Sequence, residues 1–151
     1  MIALRTLLPT DEARSALMRR VRQRNTRAEL IVAAMLRGLG LRYRKNVRKL
    51  PGTPDFANRR HRWAIFVHGC YWHHHKGCKR ATVPTRNRDF WVAKFDANRT
   101  RDAKAVHALR NSGFKVVIVW ECEALAHNRA MSKLLQISET RRINICKTMK
   151  H

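Results

Sequence analysis

The spacing of hydrophobic and polar positions changes several times along the chain, and each change marks an element. "TRAE" followed by the apolar run "LIVAAML" predicts a helix that starts after Thr26, where Thr26 and Glu29 form a capping box, and stops near Gly38 and Gly40. "LRYRKNVRKL" alternates loosely, as a basic strand does, and "PGTPDF" is a turn leading into a short strand. "RWAIFVHG" is a short apolar run suited to a buried strand. "DFWVAKFDANRTRDAKAVHALRNSG" predicts a long helix ended by Gly113. "FKVVIVWEC", rich in Val and Ile, is the clearest strand signal in the chain. From Ala126 to His151 the pattern is only weakly helical.

The predicted order is helix, three strands, helix, strand: an α/β fold with a small mixed sheet flanked by helices. No internal repeat or low-complexity linker divides it. We therefore expect a basic N-terminal arm over 1–26, a core over 27–125 and a C-terminal tail over 126–151. A chain of 151 residues with 44% hydrophobic content suffices for one domain with an ordinary core. No apolar run reaches the length of a membrane span. The start "MIALRTLLPTDEARS" has a short apolar patch but no cleavage pattern, so a soluble intracellular protein is expected.

Charge changes the picture most. Lys and Arg number 33 against 10 Asp and Glu, a formal net charge of +23. Solubility does not call for so lopsided a balance; a polyanionic partner does, because neutralising phosphates releases condensed counterions. Nucleic acid is the first expectation and an anionic membrane surface the main competitor. The basic residues run through most of the chain, so the whole domain is expected to lie on its partner. The scarcity of acids narrows the chemistry as well. Between Glu29 and Asp89 the only carboxylate is Asp55, so a hard cation bound in that region would need Asp55 as ligand. By itself Asp55, after Pro54, is equally a plain turn residue.

The densest chemistry is "VHGCYWHHHKGC", from Val67 to Cys78. Cys70, His75 and Cys78, joined by Cys122 at the end of the last strand, supply three thiolates and an imidazole, a closed tetrahedral set typical of structural zinc. The plainer alternative is buried free cysteines beside a surface histidine run. Nothing points to export, so metal ligation is favoured over disulfides. His74 reads as a solvated bystander and Trp120 as core.

The stretches "RSALMRRVRQRNTRAE", "LPGTPDF", "IFVHGCYWHHHKGC", "RDFWVAKFDANRTRDAKAVHALRNSGF" and "VIVWEC", in this order from about Arg14 to Leu125, resemble the very-short-patch-repair (Vsr) DNA mismatch endonucleases. "FVHGCYWHHH" with the following "FW" and "WEC" is the specific part. The resemblance implies a restriction-endonuclease-like PD-(D/E)xK core. It implies that Asp55 ligates catalytic Mg2+, that His73 helps activate the attacking water, and that His68 and Glu29 reach the same site. It also implies Cys70, His75, Cys78 and Cys122 as ligands of a structural Zn2+. Tyr71, Trp72 and Trp91 match aromatics that wedge into the duplex, and Met18 an apolar probe on an arm that follows the minor groove. Tyr71 stands where Phe is usual, and the spacer before Cys78 carries an extra residue. The strand "AIFVHG" lacks the second acid and the lysine of most superfamily members; the Vsr family shares this absence, and the peptide carbonyl of Val67 would serve as the second Mg2+ ligand.

Each of these residues also has an ordinary role: Glu29 as a helix cap, His68 as a buried histidine satisfied by backbone, the rings as core. For the reaction itself, phosphodiester hydrolysis needs charge neutralisation at the phosphate and an activated water. A carboxylate with carbonyl and water ligands suits Mg2+, and imidazole exchanges protons near neutrality. The expected activity is Mg2+-dependent nicking of one strand 5′ to the thymine of a T·G mismatch, such as arises when 5-methylcytosine deaminates. The expected partners are double-stranded DNA with that mismatch, functionally a cytosine-5 methyltransferase, and a mismatch-repair coupling factor as a candidate. We expect a monomer, in the bacterial cytoplasm and associated with the nucleoid. The alternatives are a related nuclease acting on other DNA and a zinc-stabilised DNA-binding protein without catalysis; an RNA-binding protein fits the charge but leaves "PD" and the histidines unexplained.

Overall fold

In a computed structural model the chain is described at residues 16–17, 20–21 and 24–148, with side chains to 139. Met18 and most of the expected N-terminal arm lie outside the described residues. The elements are α1 (Arg27–Gly38), β1 (Arg44–Lys45), β2 (Phe56–Asn58), β3 (Trp63–His68), α2 (Arg88–Asn111), β4 (Lys115–Trp120), α3 (Glu121–Ala126) and α4 (Asn128–Thr148). The strands form one sheet in the order β1-β2-β3-β4. The pairs β1–β2 and β2–β3 are antiparallel, and β3–β4 is parallel with Val67 opposite Val119 and His68 opposite Trp120. The mixed α/β architecture expected from the pattern is present.

Period-two alternation along β3 and β4 splits the core between the two faces of the sheet. Trp63, Ile65, Val117 and Val119 pack with Val32 and Leu36 of α1 and Leu134 and Ile137 of α4. Ala64, Phe66 and Val116 pack on the other face with Ala105, Val106 and Leu109 of α2. A parallel pair needs a long connection, and α2 supplies it.

Local chemistry sets the boundaries. Thr26 Oγ1 accepts from the Glu29 N–H at the start of α1, and Glu29 Oε2 reaches back to the Asn25 N–H at 2.8 Å, one residue further than in the usual capping box. At the end of α2, Phe114 N–H bonds to Leu109 O and Gly113 N–H to Arg110 O, a Schellman pair. Gly113 carries φ +79° there, a conformation that disfavours a side chain. Gly52, with φ +72° in the turn before Asp55, lies so close to α2 that a Cβ would sit 2.5 Å from Ala105 Cβ. Only glycine fits the turn that delivers Asp55.

Two expectations change. The basic stretch after α1 forms only the two-residue β1, whose Arg44 and Lys45 are both exposed. The strand expected to run through "WEC" ends at Trp120, and Cys122 lies in the first turn of α3. Glu123 turns the chain there by accepting from the Trp120 N–H at 3.0 Å. Beyond it, α4 is a full helix whose Ala130, Leu134 and Ile137 are buried. No helix among the described residues is long and apolar enough to cross a membrane.

Candidate active site and metal centre

The residues singled out in the sequence gather at the C-terminal ends of β3 and β4, the end where ligands bind in sheets of this kind. Because β2 begins only at Phe56, the edge of β3 near Val67 has no strand partner on that side. The Asp55 side chain takes the place: its Oδ2 accepts from the Val67 N–H at 2.7 Å. Burial raises the Asp55 carboxyl from an ordinary 3.8 to about 6; the Val67 N–H pulls it down, and the charge of Glu29 pushes it up again. Glu29 is itself buried, held by its capping bonds to Asn25 and Thr26. Capping and site-facing positions are thus combined in this residue. Two acids that repel each other in a buried place, in a chain with few acids, are a donor set that a hard dication would relieve.

The histidines complete the cluster. His68, at the end of β3, is buried, and its ring stacks on that of His73 at 3.9 Å and 3°. Burial, with the neighbouring His73 adding to it, lowers the His68 imidazole from 6.5 to about 4. His73 Nδ1 meets Asp102 Oδ2 of α2 in a short contact. Burial pushes Asp102 up, but the hydrogen bond and charge of His73, with His68 and Arg101, outweigh it and hold the carboxyl below its ordinary value. His68, His73 and Asp102 have polar atoms within 4.8 Å of one another. The two rings lie face to face, and Asp102 engages Nδ1 of His73.

Asp102 was not singled out in the sequence, although a signal existed. Trp91, Phe95, Asn98, Asp102, Ala105 and Leu109 follow one another at spacings of three or four, the turned-in stripe of α2. Asn98 Nδ2 donates to Trp72 O at 3.0 Å and fixes the histidine loop on this stripe one turn before Asp102 meets His73.

Cys70, His75, Cys78 and Cys122 come together with their ligand atoms within 4.8 Å. His75 Nδ1 lies 3.7 Å from Cys70 Sγ and 3.4 Å from Cys122 Sγ. Metal–sulfur and metal–nitrogen bonds of about 2.3 and 2.0 Å at tetrahedral angles put N and S roughly 3.6 Å apart, so the set fits Zn2+. Burial raises the Cys70 thiol to about 12 and also raises Cys122, while the Arg80 peptide N–H holds Cys78 below its ordinary value. A bound dication would reverse the penalty on the two raised thiols, since it binds thiolates. The extra residue before Cys78 does not keep that thiol from the set. Cys70 N–H donates to Glu121 Oε2 at 3.3 Å, a further tie between the loop and α3.

Trp120 is half-buried rather than core: it stacks on His75 at 4.1 Å and meets His68 edge-on at 5.3 Å, so one ring joins the two histidine sets. His74 is not a bystander in solvent, since its ring stacks on Phe95 at 5.1 Å. Tyr71 and Trp72, half-buried on the loop, meet each other edge-on at 5.1 Å. Trp91 is 8% exposed and contacts both of them, with Phe90 and Phe95 on its other sides. Lys94 Nζ lies 5.5 Å from the Trp72 ring and 5.3 Å from that of Trp91.

Residues 8–80 match the family described as DNA mismatch endonuclease Vsr. The chain is 44% identical over 114 residues to the type II nicking enzyme V.XorIIP of Xanthomonas oryzae pv. oryzae, covering 76% of this chain and 83% of that protein. It is 42% identical over 109 residues to the DNA mismatch endonuclease Vsr of Escherichia coli K12, covering 72% of this chain and 69% of that protein. The type II nicking enzyme V.NmeAIP of Neisseria meningitidis is 39% identical over 114 residues, covering 76% of this chain and 81% of that protein.

Proposed function

The chain belongs to the Vsr family of DNA mismatch endonucleases, and from that premise we propose that it nicks one strand of duplex DNA on the 5′ side of the thymine in a T·G mispair, with Mg2+ as cofactor. One observation carries this reading. Asp55, beside the charge of Glu29, and the His68–His73–Asp102 cluster share one end of the sheet, next to a loop that carries exposed parts of aromatic rings.

Asp55 and the Val67 carbonyl would hold Mg2+, which when bound supplies charge neutralisation at the scissile phosphate and a polarised water. The chain's own residues do the rest. Asp102 holds the Nδ1 proton of His73, which leaves Nε2 free to take a proton from the attacking water. His68 stays neutral at pH 7 and packs against the working ring without competing for that proton. Glu29 is a positioning acid: its charge keeps Asp55 poised for a cation. As oxygen attacks phosphorus the bond to the 3′-oxygen breaks, leaving a 3′-hydroxyl and a 5′-phosphate. Cys70, His75, Cys78 and Cys122 would hold a structural Zn2+ that fixes the loop bearing His73. Tyr71 and Trp72, backed by Trp91, would enter the duplex at the mispair, where unstacking costs least. Met18 would follow from the N-terminal arm in the minor groove.

Such mispairs come from deaminated 5-methylcytosine, so the functional partner is a cytosine-5 methyltransferase, and a mismatch-repair coupling factor is a candidate second partner. The protein would act as a monomer in the cytoplasm, on the nucleoid. A substrate panel tests the reading: a T·G duplex, its paired twin, a flap and a junction, each with wild type and Asp55→Ala. Cutting of the T·G duplex alone, lost in Asp55→Ala with binding retained, supports it. Cutting of flap or junction at an equal rate gives the enzyme another substrate, and binding without any cutting makes it a DNA-binding module.

A further inference from the structure

The other end of the sheet carries a feature that the nicking reaction does not use. The β2–β3 turn, the chain on both sides of β1 and the residues before β4 line an open cavity of about 890 Å³. Its rim holds six cations, Arg42, Arg44, Lys49, Arg59, Arg60 and Arg62, and no acid lines it. All six are exposed, and among the described residues none forms an ion pair. Six uncompensated charges in one place repel one another, and nothing in the fold offsets that repulsion. An anion would.

Three observations say which anion. The lining is mixed, with Tyr43, Val47, Leu50 and Phe114 beside the six cations, so it offers both charged and apolar surface, as a sugar–phosphate chain does. A second cavity of about 370 Å³ shares Arg42, Asn58 and Arg60 with the first and adds Leu41, His61 and Trp63, so the concave surface runs on round the turn as a track. A track suits a polymer better than a small ion. Third, the side of the place formed by the β2–β3 turn is remote from the catalytic cluster. Arg62 precedes β3 and Ser112 and Phe114 precede β4, whereas the cluster lies at the other end of both strands, about 17 Å along β3.

We propose that this track is a second, non-catalytic DNA site, which takes the backbone phosphates of duplex beyond the segment held at the catalytic cluster. It rests on the reading of the chain as a DNA enzyme but not on mismatch specificity. Its use would be to hold the protein on DNA while the catalytic end samples base pairs.

The test is a ternary complex. The full chain is saturated in EDTA with a T·G duplex of about 12 base pairs, a little over one helical turn. A labelled, fully paired duplex of the same length is then titrated in. Wild type should bind this second duplex, with an affinity that falls steeply with salt. The variant Lys49→Gln/Arg59→Gln/Arg60→Gln should bind it at least tenfold more weakly, while its Mg2+-dependent nicking of the first duplex stays within twofold of wild type. Arg42→Gln/Arg44→Gln, on the opposite wall, should do the same, and thermal melts of both variants check that they fold. One duplex per wild-type chain at every concentration overturns the proposal, as does equal ternary binding by both variants. Displacement of the second duplex by micromolar inorganic pyrophosphate would make the track a small-polyphosphate site and also overturn it. Failure of nicking in wild type bears on the proposed activity and leaves the ternary measurement intact.

Discussion

At the residue scale, the site is a place where stability is given up for chemistry. Asp55 is raised from 3.8 to about 6, so between those values the folded chain keeps a proton that the unfolded chain has released. Its contribution to stability therefore falls as pH rises through that window and stays low above it. In EDTA, Asp55→Asn should stabilise the protein by on the order of 3 kcal/mol at pH 7 and by almost nothing near pH 3.5. Equal melting temperatures at pH 7 would show that the carboxylate is not destabilised by burial. His68 acts in the opposite sense. Lowered from 6.5 to about 4, it is neutral in the fold and protonated in the unfolded chain across that range, so its contribution is lost as pH falls. His68→Gln should flatten the loss of stability between pH 6.5 and 4, and an unchanged slope would contradict its burial as a neutral ring. Asp102 Oδ2 meets His73 Nδ1, and in the proposed mechanism it fixes the tautomer of that ring. Asp102→Asn should lower nicking about 100-fold with duplex binding unchanged, and a rate within threefold of wild type would remove it from the mechanism.

At the element scale, the proposed zinc would fix the loop that carries the histidines. The loop after β3 is tied to the first turn of α3 through Cys122 and Glu121 and to α2 through Asn98. Purified protein should carry about one zinc per chain, and Cys122→Ser should lose it together with several degrees of melting temperature. A stable, metal-free wild type would contradict the assignment. Much of this level was legible in the sequence, since α1, β3, α2 and β4 each have a clear period or cap. What was not legible depended on partners distant in the chain. Asp102 looks like one more charge on a polar helix until His73, 29 residues earlier, folds against it. Trp120 ends an apolar strand and so reads as core, yet its ring stacks on His75. The α4 pattern is weak because, among its described side chains, only Ala130, Leu134 and Ile137, at a spacing of three or four, are fully buried. Cys122 reads as the end of a strand because Glu123, which turns the chain at Trp120, looks like any surface acid.

At the scale of the whole molecule, charge and topology divide the work. The net charge of +23 favours DNA of any sequence, and in the proposed reading selectivity comes from the aromatic loop and the cluster at one end of the sheet. Affinity for paired duplex should therefore fall by a factor of 1,000 or more between about 50 and 200 mM salt, measured by fluorescence anisotropy; a flat dependence would mean few phosphate contacts. The most direct measurement is a single-turnover assay on an end-labelled duplex with one T·G mispair in CT(A/T)GG, beside its paired twin, in Mg2+ or in EDTA. The account predicts a single cut immediately 5′ of the mispaired thymine, in Mg2+ only and absent from the twin. A cut in both duplexes, or one that persists in EDTA, would contradict it.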